Sequence, residues 1–349
     1  MFARNSTVLT ANGLVEVGKL SGTEELMGWD VPGSLRSAPI SDFLVGRDAG
    51  ELLSIETKDS NITLTKDHPL FMAHAAEQAH FDILLVEREN IGAALGVARP
   101  FPAPAGGGCY AYKFQEGDEA ECERYWLLER HTQRREASYR LQLLACRYGL
   151  PIIELCAGWQ GVDRRDLERL FAEEETQTRA NKLKKEFTLQ EDRAHLTVRL
   201  LDEVSRLRRI FIDLLLFGSA EGHVLTVHSL AEAVRSQRGA IAPVIDQTVV
   251  QQRFPEAISY LQKNFSGGHV DVQIRAIFSG RIYSLFPTAY LRPGMHLPFI
   301  SGGKPHSTIV KSITPTESRS LLYRFNAGEL ASAIIGGIAV GTSPWPTWQ

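Results

Sequence analysis

β-type sequence occupies both ends of this chain and flanks a middle region of different composition. Short runs rich in Val, Ile, Leu and Thr, broken by Gly, Pro, Asp and Asn, fill residues 1–100 and return after residue 268. Such runs are typical of strands joined by tight turns. Residues 162–217 contain neither Gly nor Pro and place apolar side chains at helical spacing. An all-β module interrupted by a mainly helical insert explains this order, so the predicted fold class is α+β.

A Pro- and Gly-rich stretch that begins at Arg99, "RPFPAPAGGGC", marks the clearest boundary in the sequence. Beyond it, "ERYWLLERHTQRREASYRLQLLACRYG" is amphipathic and predicts a helix that stops at Gly149, with a proline just beyond. Further helices are predicted for 197–217, 229–238 and 255–264. The predicted segments are the first part of the β-module (1–100), the linker (101–118), the helical insert (119–268), the second part of the β-module (269–343) and a tail (344–349).

The bulk composition excludes several classes of protein. The chain has 349 residues, 44% of them hydrophobic, and a net charge of −3, which argues against a strongly basic nucleic-acid-binding protein. Its four cysteines form no CxxC pair, which predicts reduced thiols in an intracellular protein, cytoplasmic or nuclear. The most apolar stretch, Leu330–Gly341, is shorter than the about 20 residues of a membrane span, and no signal peptide is visible.

Four motifs follow one another in the β-type regions. The first predicts a hairpin, in which Val8 and Thr10 lead into an Asn12-Gly13 turn. The four motifs are "TVLTANGLVEVGKLSGTEELMGWD", with Leu26, Gly28 and Asp30 near its end; "ITLTKDHPLF", with Thr65 and His68; "YLRPGMHLPF", with Met295; and "LLYRFNAGELASAIIGGIAVGTS", with Gly341, Thr342 and Ser343. In this order they resemble the sequence blocks of inteins and related Hint modules, which are self-splicing domains of β structure.

The resemblance implies roles for two residues that match the Thr-x-x-His motif of the family. Thr65 and His68 would hydrogen-bond the peptide carbonyl at the first splice junction and transfer a proton to its leaving nitrogen. Such reactions begin when the side chain of a first Cys or Ser attacks the preceding carbonyl. The first residue here is Met1, whose thioether has no proton to lose and cannot form the acyl intermediate.

The second junction departs from the family's pattern in the same way. Gly341 stands where the family has a penultimate His, and Thr342 stands where it has the cyclising Asn. Ser343 fits the downstream nucleophile, but no upstream group can deliver an acyl chain to it. Met295 replaces the usual Asp of the third motif. Self-splicing is therefore not expected from this sequence, and Thr65 and His68 are expected to be relics of the reaction.

The insert resembles a degenerate form of the LAGLIDADG homing endonucleases that many inteins carry. The segments Cys156–Arg164 and Phe211–Val224 offer small residues followed by the acidic residues Asp163 and Glu221. In that family two such carboxylates hold Mg²⁺ at the scissile phosphates, so the resemblance implies a metal site of Asp163 and Glu221. A basic surface for DNA phosphates is predicted from two clusters, although an ordinary solvated helix face explains them equally well. The clusters are Lys182, Lys184 and Lys185, and Arg206, Arg208 and Arg209.

The chain also resembles the stand-alone, intein-derived endonucleases of mating-type switching, which likewise begin with Met before a similar hairpin. Three functional classes remain open: a Mg²⁺-dependent, site-specific DNA endonuclease, a DNA- or protein-binding module without catalysis, and an inactive intein that is either a relic or an engineered precursor. The expected partner is double-stranded DNA. No membrane and no small-molecule cofactor are expected, Mg²⁺ is needed only if the nuclease is active, and a monomer is expected.

Overall fold

The structure of the chain is a computed structural model. It describes residues 1–29, 35–46, 51–74, 80–88, 92–98, 122–154, 164–191, 193–199, 209–219, 222–229, 249–250, 269–278, 281–317, 321–326, 330 and 332–341. The chain divides into two compact units, of which the first comprises Met1–Ala73 and Arg206–Gln349 and the second His74–Ser205. Each unit has its own sheet.

The first unit begins with nine strands, each paired antiparallel with its neighbours. They are β1 (Phe2–Ala3), β2 (Thr7–Thr10), β3 (Gly13–Glu16), β4 (Glu25–Trp29), β5 (Leu35–Pro39), β6 (Asp42–Gly46), β7 (Glu51–Thr57), β8 (Asn61–Thr65) and β9 (Pro69–Met72), with a 3₁₀ turn at Val17–Lys19. The hairpin predicted from the Asn12-Gly13 dipeptide is confirmed between β2 and β3. Gly13 has a φ of 111°, and the Thr10 hydroxyl donates a 2.7 Å hydrogen bond to its carbonyl.

The second unit combines a five-stranded sheet with three helices. Its elements are β10 (Phe81–Arg88), β11 (Gly92–Ala98), β12 (Cys122–His131), α1 (Arg134–Tyr148), β13 (Ile152–Glu154), α2 (Arg164–Glu173), α3 (Gln177–Glu186) and β14 (Leu196–Arg199). The strand order is β13-β11-β10-β12-β14, antiparallel except for the β11–β13 pair. The predicted helix end is confirmed, because Gly149 adopts a left-handed φ of 66° and its N–H donates to the Ala145 carbonyl.

The chain then returns to the first unit with ten further strands. They are β15 (Arg209–Ser219), β16 (Gly222–Ser229), β17 (Val249–Val250), β18 (His269–Phe278), β19 (Arg281–Pro287), β20 (His296–Ser301), β21 (Lys304–Glu317), β22 (Leu322–Asn326), β23 (Ser332–Ile335) and β24 (Ile338–Gly341), with a 3₁₀ turn at Thr288–Tyr290. Several of them pair with the early strands: β21 with β7, β22 with β1 and β6, β23 with β2, and β19 and β24 with β9. One sheet system therefore takes strands from both ends of the sequence.

The mainly helical insert predicted for 119–268 is wrong in two long segments. The apolar spacing predicts helix for residues 123–131 and 209–217, but the first range lies in β12 and the second in β15. Each lies between two partner strands, β12 between β10 and β14, and β15 between β16 and β18. A strand with neighbours on both sides can carry a continuous apolar run, which periodicity alone does not separate from a helical segment.

The compact units also differ from the predicted segments. The sequence placed residues 1–100 in one module, but β10 and β11 pair with β12 and β13 in the second unit. The predicted linker and the short helices near 229–238 and 255–264 lie wholly or almost wholly outside the described residues. Among the described helices, none combines the length and the apolar character that crossing a membrane requires.

Candidate functional site

The second residue of the chain is fixed by aromatic packing. Phe2 is buried, and its ring stacks on Phe325 at a centroid distance of 4.8 Å and meets the His68 ring edge-on at 4.5 Å. On the backbone, Phe2 lies opposite Tyr323 of β22 on one side and Leu64 of β8 on the other. A buried aromatic side chain held by neighbours on both sides restrains the adjoining backbone. The position of the first residue follows from this anchor.

The turn between β8 and β9 carries the Thr-x-x-His motif. The His68 N–H donates a 3.1 Å hydrogen bond to the Thr65 carbonyl, which closes the turn. The His68 carbonyl accepts two more hydrogen bonds, from the N–H and the hydroxyl of Thr288, each 2.8 Å long. Thr65, His68 and Thr288 are all buried. The backbone of the turn is therefore held from two directions, and its two polar side chains have fixed positions.

Met1, Thr65 and His68 come together and form what we term the first-residue site. The backbone nitrogen of Met1 donates a 2.8 Å hydrogen bond to Thr65 Oγ1 and lies 3.4 Å from His68 Nδ1. The Thr65 N–H donates in return to the Met1 carbonyl at 3.2 Å. The two residues matched by the motif thus flank the nitrogen on which the expected chemistry would act.

The electrostatics of this site favour a neutral imidazole. Burial holds the pKa of His68 well below its usual range, and the positive charges of the Met1 amino group and of Arg324 lower it further. His68 Nε2 is buried and has no hydrogen-bond partner among the described residues. Buried polar atoms normally have hydrogen-bond partners, so this nitrogen is an exception to the usual pattern.

The arrangement can support proton transfer at the nitrogen of the first residue. A neutral imidazole accepts a proton at one ring nitrogen, and its protonated form donates one, so His68 is placed to exchange protons with the Met1 nitrogen. The Thr65 hydroxyl can accept from the same nitrogen. Met1 itself offers a thioether, which is not an acyl acceptor. The catalytic roles of Thr65 and His68 stay predictions.

Gly341, the other predicted junction residue within the described chain, contacts the same turn. Val340 of β24 pairs with Leu70 of β9, the strand that follows His68. A Cβ placed on Gly341 would lie 3.1 Å from two ring carbons of Pro69. Thr342 and Ser343 lie outside the described residues.

Two other motif positions have structural explanations. A Cβ on Gly28 would lie 1.8 Å from the carbonyl oxygen of Ser332, so the close approach of β4 to β23 requires glycine. Met295 is buried, and its sulfur accepts a 3.3 Å hydrogen bond from the Arg292 N–H within its turn. Asp30 lies outside the described residues.

Lys184 does not fit the predicted basic surface. Its side chain is 1% exposed, forms an ion pair with Glu87 and places Nζ 4.0 Å from the centroid of the Trp126 ring. Burial lowers the pKa of Lys184, and the Glu87 carboxylate offsets part of that shift. The apolar spacing of α3 explains the placement, since Ala180, Leu183 and Lys184 share its buried face. A carboxylate within the apolar run of β10 was the sequence signal for a buried partner.

The other predicted DNA-binding residues are in different situations. Lys182 and Lys185 are exposed on α3. Arg209 is the first residue of β15, whereas Arg206 and Arg208 lie outside the described residues. A role of these residues in DNA binding stays a prediction.

The predicted metal ligands Asp163 and Glu221 also lie outside the described residues. Within the described ranges, no cluster of three or more His, Cys, Asp or Glu side chains is arranged to hold a metal ion. The second predicted motif segment, Phe211–Val224, lies in β15 and the beginning of β16, apart from residues 220 and 221, which lie outside the described residues. A Mg²⁺ site of Asp163 and Glu221 stays a prediction.

Sequence reasoning missed two residues that bear on the first-residue site. Thr288 holds the His68 carbonyl through two hydrogen bonds. Arg324 is exposed on β22 and acts on His68 through its charge. The signal for Arg324 was a single cation within the apolar run "LLYRF", whereas Thr288 follows a strand without any distinguishing pattern.

No protein-family model matches this sequence, and no curated protein sequence matches it. Among solved structures, the chain is similar to the solution structure of a bacterial intein-like domain from Clostridium thermocellum, with 19% sequence identity and a TM-score of 0.19. The similarity covers 36% of this chain and 91% of that domain. Independently of that comparison, the part of the chain that the structure describes is mostly β-sheet with few helices.

Proposed function

We propose that this chain is an intein-derived protein in which a Hint-like first-residue site keeps its geometry and has lost its splicing chemistry. The observation that supports it best is the contact of the Met1 nitrogen with Thr65 Oγ1 at 2.8 Å and with His68 Nδ1 at 3.4 Å. These are the two residues that the sequence motif selected for a role at this nitrogen.

The chemistry that such a site would support becomes available when residue 1 has a nucleophile. In a Met1→Cys variant joined to an upstream domain, the Cys thiolate would attack the carbonyl carbon of the preceding residue. The C–S bond forms, the C–N peptide bond breaks, and the leaving nitrogen takes a proton, which His68 is placed to donate. An added thiol then exchanges with the thioester and releases the upstream domain.

The experiment compares fusions of one folded reporter domain to residues 1–349. The Met1→Cys fusion is expected to release the reporter in the presence of dithiothreitol, and the Met1→Ala fusion is expected to stay intact. Adding His68→Ala to Met1→Cys is expected to slow release by about 10²-fold or more, the usual contribution of a general acid. Thr65→Val is the second site variant, and His306→Ala, a histidine outside the site, is the matched control. A Met1→Cys fusion that stays intact while the chain is folded would contradict the proposal.

Loss of the second junction has its own test. Gly341→His and Thr342→Asn, added to Met1→Cys, are expected to give C-terminal cleavage or a branched species. The Cβ of a residue at 341 approaches Pro69 to 3.1 Å, so a shift of a few tenths of an ångström is needed there. Absence of any second product in the triple variant would indicate that only the first junction keeps its geometry.

DNA binding is a second candidate function, supported by the exposure of Lys182 and Lys185 on α3. For this function we propose that the two lysines contact DNA phosphates and that Asp163 and Glu221 together bind Mg²⁺. Mobility shifts on duplex DNA over a salt series test the first part, since each lost phosphate contact weakens the salt dependence. Lys182→Gln with Lys185→Gln is compared with Lys311→Gln, and cleavage with Mg²⁺ is compared in Asp163→Asn and Glu221→Gln. Binding that is absent at low salt would exclude this function.

A further inference from the structure

The first-residue site has a neighbour that no motif selected, and the strand register identifies it. β1 pairs antiparallel with β22 so that Phe2 lies opposite Tyr323 and Ala3 opposite Leu322. One more residue along this register places Met1 opposite Arg324. The same step in the β1–β8 pair places Met1 opposite Thr65, in agreement with the hydrogen bond from the Thr65 N–H to the Met1 carbonyl.

The first residue therefore lies between Thr65 on one strand and Arg324 on the other. Arg324 is flanked in sequence by Tyr323 and Phe325, both buried, so its backbone position is fixed by the same aromatic packing that anchors Phe2. Its guanidinium is exposed and always charged. The extended register thus places a residue with a permanent positive charge opposite the first residue on the neighbouring strand.

The charged groups that act on His68 can be named element by element. β1 contributes the Met1 amino group, and β22 contributes Arg324. In the β8–β9 turn itself, Lys66 forms an ion pair with Glu51, and Asp67 is exposed. Thr288, from the 3₁₀ turn packed on His68, is uncharged. Among the groups with a resolved effect on His68, both are positive.

We propose that Arg324, which the strand register places opposite Met1, is a positioning residue of the first-residue site that disfavours proton donation from His68 to the nitrogen of residue 1. A donor must carry a proton to give it, and a cation beside an imidazole disfavours the imidazolium. The charge of Arg324 thus disfavours the protonated form of His68 in a site whose geometry is otherwise suited to proton transfer. This role rests on the proposed function for its chemistry, but the neutral state of His68 can be measured without any reaction.

The test measures His68 protonation by NMR in the chain without a fusion partner. The His68 signals are assigned with His68→Gln, and the pH of half-protonation is followed in Arg324→Lys, Arg324→Gln and Arg324→Glu. The pH of half-protonation is expected to be lowest in the wild type and Arg324→Lys, higher in Arg324→Gln and highest in Arg324→Glu. Charge reversal is expected to raise this pH by about one unit or more. Lys311→Glu, which reverses an exposed charge on β21, is the matched control and is expected to leave His68 unchanged.

A second measurement uses the wild-type chain and needs no folded variant. Raising the salt concentration from about 0.01 M to 1 M shortens the Debye length from about 30 Å to 3 Å and screens an exposed guanidinium. The pH of half-protonation of His68 is expected to rise with salt. The role of Arg324 is overturned if His68 in Arg324→Glu stays neutral over the same pH range as in the wild type at low salt. If that variant does not fold, the same result for the wild type at high salt overturns the role.

The reaction provides a separate readout. In the Met1→Cys fusion, Arg324→Glu is expected to speed thiol-induced release by about tenfold for each unit by which the half-protonation pH rises, since the imidazolium fraction grows in that proportion. If the fusion never cleaves but His68 responds to Arg324, the proposed function fails and the electrostatic role stands. If the fusion cleaves and neither the titration nor the rate responds, the electrostatic role fails and the proposed function stands.

Discussion

The two units of this chain differ in how they accommodate buried ionisable side chains. In the second unit, Asp82 lies directly opposite Arg130 across the β10–β12 pair and is held by two hydrogen bonds of 2.7 Å and 3.0 Å from its guanidinium. Glu87 lies opposite Arg124 in the same pair of strands and also binds Lys184. Both of these buried carboxylates, Asp82 and Glu87, thus have cationic partners.

The first-residue site of the first unit has the reverse arrangement. His68 is buried without a carboxylate partner among the described residues, near two positive groups and with one ring nitrogen unbonded. Charges that only maintain a fold are paired, because a buried unpaired charge costs several kcal/mol. His68 avoids this cost by staying neutral, so the first-residue site holds an uncharged imidazole that can take up a proton. The following predictions test this contrast, from the largest expected effect to the smallest.

Asp82→Ala is expected to cost the most. Burial by itself would raise the pKa of Asp82, but hydrogen bonds from His80 and Arg130 outweigh it and lower the pKa. Removing the carboxylate takes two charge-assisted hydrogen bonds from the buried guanidinium of Arg130, which costs about 3–5 kcal/mol of unfolding free energy. Chemical denaturation measures the loss, and Glu173→Gln, which breaks the exposed Arg169–Glu173 pair, is the control without a measurable effect. A small loss in Asp82→Ala would mean that the pair does not hold β10 to β12.

Lys184→Met is expected to cost about 2–4 kcal/mol, because Glu87 loses one of its two cationic partners in a buried position. The Met side chain keeps much of the volume against Trp126. Adding Glu87→Gln removes the carboxylate charge that Lys184 no longer balances, and it is expected to recover part of the lost unfolding free energy. A double-mutant cycle measures this recovery. Equal or larger loss in the double variant would argue against an ion pair as the reason for burying Lys184.

Acid is expected to destabilise the second unit through His74. His74 keeps part of its surface exposed, but its ring nitrogen Nδ1 is buried. This burial, and the positive charge of the nearby Arg130, lower the pKa of His74 to about 3. Between a pH near 6.5 and 3 the unfolded chain binds a proton that the folded chain does not, so the unfolding free energy falls as the pH falls. The slope from this group is at most about 1.4 kcal/mol per pH unit.

Denaturation at several pH values compares the wild type with His74→Gln, in which this component of the slope is absent. His306→Gln, in the first unit, is the control and keeps it. A slope that is identical in His74→Gln and the wild type would show that this histidine is not the acid-sensitive group.

Thr65→Val is expected to have the smallest effect on stability. The substitution keeps the side-chain shape and removes the hydroxyl that accepts from the Met1 nitrogen, a loss of about 1 kcal/mol. In the Met1→Cys fusion the same variant is expected to slow release by more than its stability change suggests. Ser312→Ala, which removes an exposed hydroxyl bonded to Glu56, is the control without a measurable effect on either property.

Local chemistry in the sequence predicted local features well. The Asn12-Gly13 turn and the helix end at Gly149 each depend on a backbone conformation that glycine favours, and both are present. The motif that selected Thr65 and His68 brought together two residues that do contact the first residue. These features are encoded within a few consecutive residues, which is why a single sequence shows them.

Features that depend on distant partners could not be predicted in the same way. β12 and β15 were assigned as helices because their apolar runs do not reveal the strands on either side. Lys184 was assigned to the surface because its partner Glu87 is 97 residues away in the chain. Arg324 comes opposite Met1 only when the register of β1 and β22 is extended by one residue. In each case the deciding information is a long-range pairing.

The contact of Met1 and of Gly341 with one turn has a consequence for the connectivity of the first unit. Met1 meets His68 of this turn, and Gly341 meets Pro69 beside it. A short peptide that joins residue 341 to residue 1 would therefore follow the surface of a single turn and leave the sheet uncrossed. New chain ends can then be opened at Gly302-Gly303, the exposed hairpin between β20 and β21 where both residues have a positive φ. A circularly permuted chain of this kind would keep every strand pairing and cover the nitrogen of residue 1 with a peptide bond.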